Sequence, residues 1–302
     1  MARGSRRARA AALGLLGVLT LAGCSTPNST GWRFGWPAGI TDQAQDMRKL
    51  WTWSCIVALI VGALVWGLII WSVIRYRKRS DEVPRQTAYN LPLEIVYTII
   101  PFIMIVGLFF FTVRVQDRVE ARSAHPDVTI AVNAFKWNWQ FVYPQAKGPD
   151  GTPVNTVGTT NEIPILVLPT DRSVRFELAS ADVIHSFWVP EFLFKLDVIP
   201  GEENGRNNVF QVTVRKQGAF VGRCAELCGE YHAFMNFEVR SVSPQDYDAY
   251  LKAREQGMDT QHALESIGQP GLAVTTHPFN LDEHYQQTKG LNNTINSGGG
   301  NG

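Results

Sequence analysis

Hydrophobic positions are arranged along this chain in two ways, and the change from one to the other divides it. Residues 50–74 form a long apolar run without a single charge, and residues 95–113 form a second, containing Pro101 and closed by Arg114. An α-helix needs about 20 such residues to cross a ~30 Å hydrocarbon core. Residues 50–74 and 95–114 are therefore expected to be transmembrane helices joined by a loop at 75–94. Pro101 is compatible with this, because neighbouring helices can satisfy the backbone groups it frees. Beyond residue 120 the long runs stop. Residues 128–132, 163–168, 173–178, 209–214 and 234–242 are short stretches rich in Val, Ile, Phe and Thr, set apart by Gly, Pro, Asn and Asp. Such spacing predicts strands, and repeated short strands without a long helical pattern predict a sandwich or barrel over residues 120–257. Residues 145–161 read as a loop and 243–256 as a closing surface helix. Residues 258–302, ending in Gly, Asn and Thr, are expected to be a flexible tail.

The start of the chain changes the topology. Arg3, Arg6, Arg7 and Arg9 precede a short apolar stretch that ends in Leu21-Ala22-Gly23-Cys24. A basic start, a short apolar run and small residues at a cleavage point make residues 1–23 a signal peptide. Leu-Ala-Gly-Cys also resembles the bacterial lipobox, which implies a lipid on Cys24; the alternative is an ordinary signal with an incidental Cys. Residues 24–49 are polar and read as a short external segment. The basic cluster Arg75-Tyr76-Arg77-Lys78-Arg79 places the 75–94 loop in the cytoplasm. Two crossings return the chain to the outside, so the β region faces the extracytoplasmic side of a bacterial plasma membrane.

The formal net charge of +1 conceals an asymmetry: residues 1–124 hold 15 Lys and Arg against 7 Asp and Glu, residues 125–302 hold 13 against 20. An acidic external half lacks the clustered Lys and Arg that phosphate contacts require, which argues against nucleic acid as a partner. It leaves room for a basic protein.

Four cysteines occur, and an exported chain would pair them by default. Cys24 ends the signal and Cys55 lies in an apolar run, where a small packing role is simplest. Cys224 and Cys228 belong to a denser stretch, Cys224-Ala225-Glu226-Leu227-Cys228-Gly229-Glu230-Tyr231-His232-Ala233-Phe234-Met235. Thiolate, imidazole and thioether together suit copper better than hard cations. A disulfide would leave His232 and Met235 unexplained. Structural zinc prefers four Cys or His ligands, and a single blue-copper site leaves one Cys over. Two copper ions sharing two bridging thiolates use the whole set. His125, His262, His277 and His284 read as solvated surface residues.

The spacing C-x3-C-x3-H-x2-M resembles that of cytochrome c oxidase subunit II, and Asp182-Val183-Ile184-His185-Ser186-Phe187-Trp188 resembles the segment that gives this family a further His. The resemblance covers residues 45–255. It implies a two-helix transmembrane hairpin followed by a cupredoxin-like Greek-key β-barrel domain. It implies a binuclear, mixed-valence copper centre in which Cys224 and Cys228 bridge, His185 and Met235 complete one ion, and His232 with the backbone carbonyl of Glu226 completes the other. It further implies magnesium on the Glu226 carboxylate at the boundary with subunit I, near residues 195–201. Trp137-Asn138-Trp139 resembles the family's cytochrome-facing aromatic cluster, which makes Trp137 the residue that receives electrons. Glu94, heading the second helix, matches the residue at the cytoplasmic entrance of a proton channel in subunit I, with a solvated helix cap as the alternative.

The function implied is transfer of single electrons from cytochrome c to haem in subunit I, within an oxidoreductase that reduces oxygen to water and pumps protons. Subunits I and III are the implied partners. Two departures from the family pattern bear on the donor: Phe135-Lys136 precedes Trp137, and Gln140-Phe141-Val142-Tyr143 follows Trp139 without a carboxylate. With the lipobox, they suggest an actinobacterial-type oxidase fed by a tethered cytochrome c domain of a cytochrome bc complex. Three rivals fit less well. A quinol oxidase subunit II lacks the Cys-Cys-His-Met set, a copper-carrying lipoprotein needs no hairpin, and nitrous oxide reductase carries a separate His-rich domain.

Overall fold

The computed structural model describes residues 33–83, 86–201 and 208–278. Cys24 with the signal segment, His284 and residues 279–302 of the expected tail lie outside them. Two compact units divide the described residues: one holds 33–38 and 51–77, the other 39–50 and everything from 78 onward.

Helix α1 spans Asp42–Arg75 and α2 spans Leu91–Glu120. Both are long and apolar enough to cross a membrane. Along them Leu59, Ile60, Trp66, Ile70, Phe102, Ile105 and Phe109 turn outward, a surface that lipid tolerates and water does not. Both helices exceed the expected spans. The Thr41 hydroxyl accepts the Ala44 N–H at 3.0 Å and starts α1 eight residues before the apolar run, within what reads as an irregular segment. Asn90 caps α2, accepting from the Leu93 N–H at 3.4 Å, and the Glu94 carboxylate accepts the Asn90 N–H at 3.0 Å. Glu94 thus closes a capping arrangement at a helix start.

The external domain is a sandwich of two five-stranded sheets. Its strands are β1 (Val128–Phe135), β2 (Asn138–Lys147), β3 (Pro153–Val157), β4 (Ile165–Pro169), β5 (Ser173–Ser180), β6 (His185–Val189), β7 (Phe194–Val198), β8 (Val209–Thr213), β9 (Gly218–Cys224) and β10 (Asn236–Val242). One sheet has the order β3-β2-β1-β5-β8, the other β4-β10-β9-β6-β7. Alternation drives the pairing: β1 buries every second residue, so Val128, Ile130, Val132 and Ala134 face inward. Between the sheets Phe187 stacks on Phe237 at 4.8 Å and Phe176 on Phe210 at 4.7 Å, with Trp139 edge-on to Phe237 at 5.3 Å. Each such pair adds about 0.5–1.5 kcal/mol beyond area burial.

Two expectations fail here. The loop assigned to residues 145–161 contains β3, an edge strand that begins with Pro153, a position where the missing N–H costs no ladder bond. The tail assigned from residue 258 is ordered to Pro278. After α3 (Pro244–Glu255), helix α4 runs Thr260–Ser266, capped by Asp259, whose carboxylate accepts the His262 N–H at 2.8 Å. Residues 267–278 then return across β10. Every residue of β10 from Phe237 to Val242 is buried, so both faces of that strand are covered.

Candidate metal centre

Three strand ends build the site. β9 ends in Cys224, β10 starts just after Met235, and β6 starts at His185. β9 lies between the other two, with Arg223 opposite Asn236 and Cys224 opposite Phe187. The loop from 225 to 234 is therefore held at both ends. The Cys224 N–H donates to the Met235 carbonyl at 3.1 Å and the Ala225 N–H to the Ser186 carbonyl at 3.0 Å. Gly222 permits the tight layering beneath, because a Cβ there would fall 2.1 Å from the Phe237 ring.

The side chains named from the sequence converge. Cys224 Sγ lies 3.8 Å from His185 Nδ1, 3.9 Å from Cys228 Sγ and 3.3 Å from the Glu226 carbonyl oxygen. Cys228 Sγ lies 3.5 Å from His232 Nδ1 and 3.8 Å from Met235 Sδ. His185, Cys224, Cys228 and Met235 are buried, and His232 is half-buried. A disulfide needs sulfurs about 2.05 Å apart; these thiols are free. Two thiols, two imidazoles, a thioether and one carbonyl oxygen are thus linked by contacts of 3.3–3.9 Å, and the ligand atoms of His185, Cys224 and Cys228 all lie within 4.8 Å of one another. A set dominated by thiol, thioether and imidazole donors fits copper better than a hard cation.

The electrostatics favour one thiolate first. Burial opposes ionisation of Cys224, but hydrogen bonds with His185 and to the Glu226 carbonyl hold its pKa below the usual thiol value. Burial, and then the charge on Cys224, push Cys228 up to about 12. His185 Nε2 meets Asp182 Oδ1 at 2.8 Å. Burial alone would lower the His185 pKa; the contacts with Cys224 and Asp182 raise it. Asp182 also accepts the Lys136 N–H and the Val183 N–H, each at 2.7 Å, so one carboxylate ties the turn before Trp137 to His185. Asp182 stands in the His-bearing segment, but its tie to residue 136 crosses 46 positions and leaves no local trace.

The aromatic cluster divides its work. Trp139 is buried and donates through Nε1 to the Met235 carbonyl at 3.2 Å. Trp137 is half-buried, donates to the Cys228 carbonyl at 3.3 Å and meets Tyr231 edge-on at 4.9 Å. Gly229, at φ +124°, makes room: a Cβ there would lie 3.1 Å from Trp137 Nε1. The Glu226 side chain is exposed. A cavity of about 650 Å³ opens beside Cys224 and His232, with Lys195 and Arg223 in its wall. Glu94 lies outside this constellation, at the start of α2, and His125, His262 and His277 are exposed away from it.

Comparison with known proteins returns one family for both parts of the chain. Residues 128–242 match the sequence model described as cytochrome c oxidase subunit II, periplasmic domain, and residues 29–115 match that of its transmembrane domain. The probable cytochrome c oxidase subunit 2 of Nocardia farcinica is 47% identical over 334 residues, covering 92% of this chain and 88% of that protein. Cytochrome c oxidase subunit 2 of Mycobacterium tuberculosis is 45% identical, with 92% and 90% covered. Among solved structures, the periplasmic domain of subunit II of cytochrome oxidase from Bradyrhizobium japonicum is 30% identical, covering 44% of this chain and 96% of that one at a TM-score of 0.37.

Proposed function

The chain belongs to the cytochrome c oxidase subunit II family, and from that premise we propose that its external domain holds a binuclear copper centre through which the oxidase is supplied with electrons. As a subunit of a haem-copper oxidase it serves an oxidoreductase complex, and it is a membrane protein with its β domain on the periplasmic side. The observation that carries the proposal is the convergence of two unbonded thiols, two imidazoles, a thioether and a carbonyl at the ends of three adjacent strands.

Cys224 and Cys228 would bridge, with His185 and Met235 on one ion and His232 and the Glu226 carbonyl on the other. Copper bound there supplies one-electron redox chemistry, and sharing a charge over two ions keeps reorganisation small. The protein's own part is to hold the donors still. β6, β9 and β10 fix the loop, Asp182 orients His185 from behind, and burial keeps water away from the sulfurs. Trp137 would receive electrons: its ring lies partly open to solvent and is hydrogen-bonded to the carbonyl of Cys228. The exposed Glu226 carboxylate is free to take magnesium at a boundary with subunit I, and the cavity walled by Lys195 and Arg223 is where that boundary would fall.

For the donor, Lys136 is exposed beside Trp137, and Gln140 offers only an amide, bonded to Asn133 at 2.8 Å. A strongly basic soluble cytochrome finds little opposite charge at that point. A cytochrome c domain tethered in a larger assembly, which needs less electrostatic capture, fits better. Lipidation at Cys24, a proton-channel role for Glu94 and a place beside subunits I and III complete the reading. Copper analysis and EPR of the purified full chain, loaded with copper in detergent, test the centre. Two coppers per chain sharing one unpaired electron, seen as a seven-line hyperfine pattern, are expected. One copper, or none with a Cys224–Cys228 disulfide, would overturn it.

A further inference from the structure

Strand β2 belongs to one sheet, whereas the loop from 225 to 234 hangs between β9 and β10 of the other. Along β2 the buried positions alternate, so Trp139, Phe141 and Tyr143 all point between the sheets. Trp139 touches two of the proposed ligands at once. Its Nε1–H donates to the Met235 carbonyl at 3.2 Å, and its ring centre lies 6.2 Å from that of His185, tilted by 60°. These are the two residues assigned to one copper ion. Trp137 serves the other side of the loop, bonding the Cys228 carbonyl and meeting Tyr231, the neighbour of His232. The two indoles divide between the two halves of the centre.

The Met235 backbone is held from three directions. Its N–H donates to the His232 carbonyl at 3.2 Å, and its carbonyl accepts from the Cys224 N–H at 3.1 Å as well as from Trp139. Both lone pairs of that carbonyl are therefore engaged. The first two bonds stay within the loop and β9, while the bond from Trp139 ties Met235 to the opposite sheet. A thioether is a weak metal ligand on a flexible side chain. Where its backbone stands therefore decides how well the sulfur meets a metal.

We propose that Trp139 is a positioning residue for the ion assigned to His185 and Met235. Its N–H fixes the Met235 backbone and its ring limits the swing of the His185 imidazole, so that the two ions share charge evenly. This rests on the dicopper reading given above.

The test compares Trp139→Phe and Phe141→Leu with the parent, each as the full chain in detergent. Phe141 meets Phe237 edge-on at 5.4 Å, much as Trp139 does at 5.3 Å, and among the described residues its ring meets neither imidazole of the site. Both changes thin the same core, and both should lower the thermal midpoint of the copper-free chain. Loaded with copper, Trp139→Phe is expected to yield the metal to a chelator about tenfold more readily and to give an uneven hyperfine pattern. Phe141→Leu should keep the retention and pattern of the parent. Without copper, amide exchange over residues 232–236 should be about threefold faster in Trp139→Phe and unchanged in Phe141→Leu. If Trp139→Phe does not fold, benzothienylalanine at position 139 keeps the ring volume, lacks the N–H and carries the same expectations for retention and exchange. Retention and spectrum like the parent's in the Trp139 variant, or an equal change in Phe141→Leu, would overturn the proposal. So would equal amide exchange in the copper-free chains. A parent chain that takes up no pair of coppers removes the dicopper reading, and the exchange difference then still decides whether Trp139 holds the loop.

Discussion

Strand β10 joins two buried polar clusters of opposite character. At its start, the Met235 thioether sits with two thiols and two imidazoles whose mutual distances of 3.5–3.9 Å are too long for strong bonds among themselves. Three residues further on, Glu238 and Arg240 are just as buried, yet they accept from and donate to backbone groups of residues 270–275 at 2.7–3.2 Å. Both clusters cost desolvation. The second offsets that cost within the chain, and the first leaves its thiols, thioether and facing imidazole nitrogens with only contacts of 3.5–3.9 Å to one another. Buried polar residues therefore mark a ligand site when they converge without satisfying one another, and mark architecture when they do.

The comparison breaks most sharply at Cys224. Cys224→Ser removes a thiolate proposed to bridge both coppers while keeping the volume, so two-copper loading and electron transfer to the complex should be abolished with the thermal midpoint of the copper-free chain nearly unchanged. A copper-free chain that melts far lower would mean the sulfur is structural. Arg240→Met makes the opposite pattern. It leaves Glu238 as an uncompensated buried charge, a change of about 3–5 kcal/mol. A much earlier thermal midpoint is expected, together with an unchanged copper spectrum in the protein that remains folded. Removing Glu238 as well should recover only part, because the Val274 and Thr275 N–H groups stay without their acceptor.

Asp182 sits between the two types, satisfied by backbone donors on one side and aimed at His185 on the other. Asp182→Asn keeps the shape and removes the charge behind the imidazole. Metal retention should weaken about 10–100-fold, measured by competition with a copper chelator, with little change in the melting of the copper-free chain. Equal loss in both would class Asp182 with Glu238.

These two clusters were not equally legible. The residues proposed to hold metal between 224 and 235 lie within a dozen positions, and their chemistry is unusual enough to be read from residue types alone. The two apolar helices were visible for the same reason, a long local signal. What escaped was non-local. Residues 267–278 are held by charges some 30 residues earlier in the chain, so their Gly, Pro and Thr content reads as tail. β7 alternates exposed Lys195 and Asp197 with half-buried Phe194 and Leu196 and buried Val198, and depends on pairing with β6. The early start of α1 rests on one hydroxyl cap at Thr41.

The smallest effect concerns how charge is used away from the metal. Arg172 holds Asp248 of α3 through two bonds of 2.6 Å, and the Arg172 guanidinium keeps that carboxyl below its ordinary value of 3.8. A depressed carboxyl contributes stability that is present above its unfolded value and lost as pH falls through the folded one. The Arg172 link to α3 should therefore act fully at pH 6 and fade below about pH 4. Because Asp248 is largely solvated, the contribution is about 1 kcal/mol or less. Asp248→Asn should lower the thermal midpoint by a few degrees at pH 6, and the two proteins should converge as the buffer is taken down towards pH 3. A difference that persisted at pH 3 would show that the amide loses packing and not charge. The residues proposed to hold copper should register nothing in either buffer. That silence separates a charge pair that props a helix from the carboxylate that orients His185.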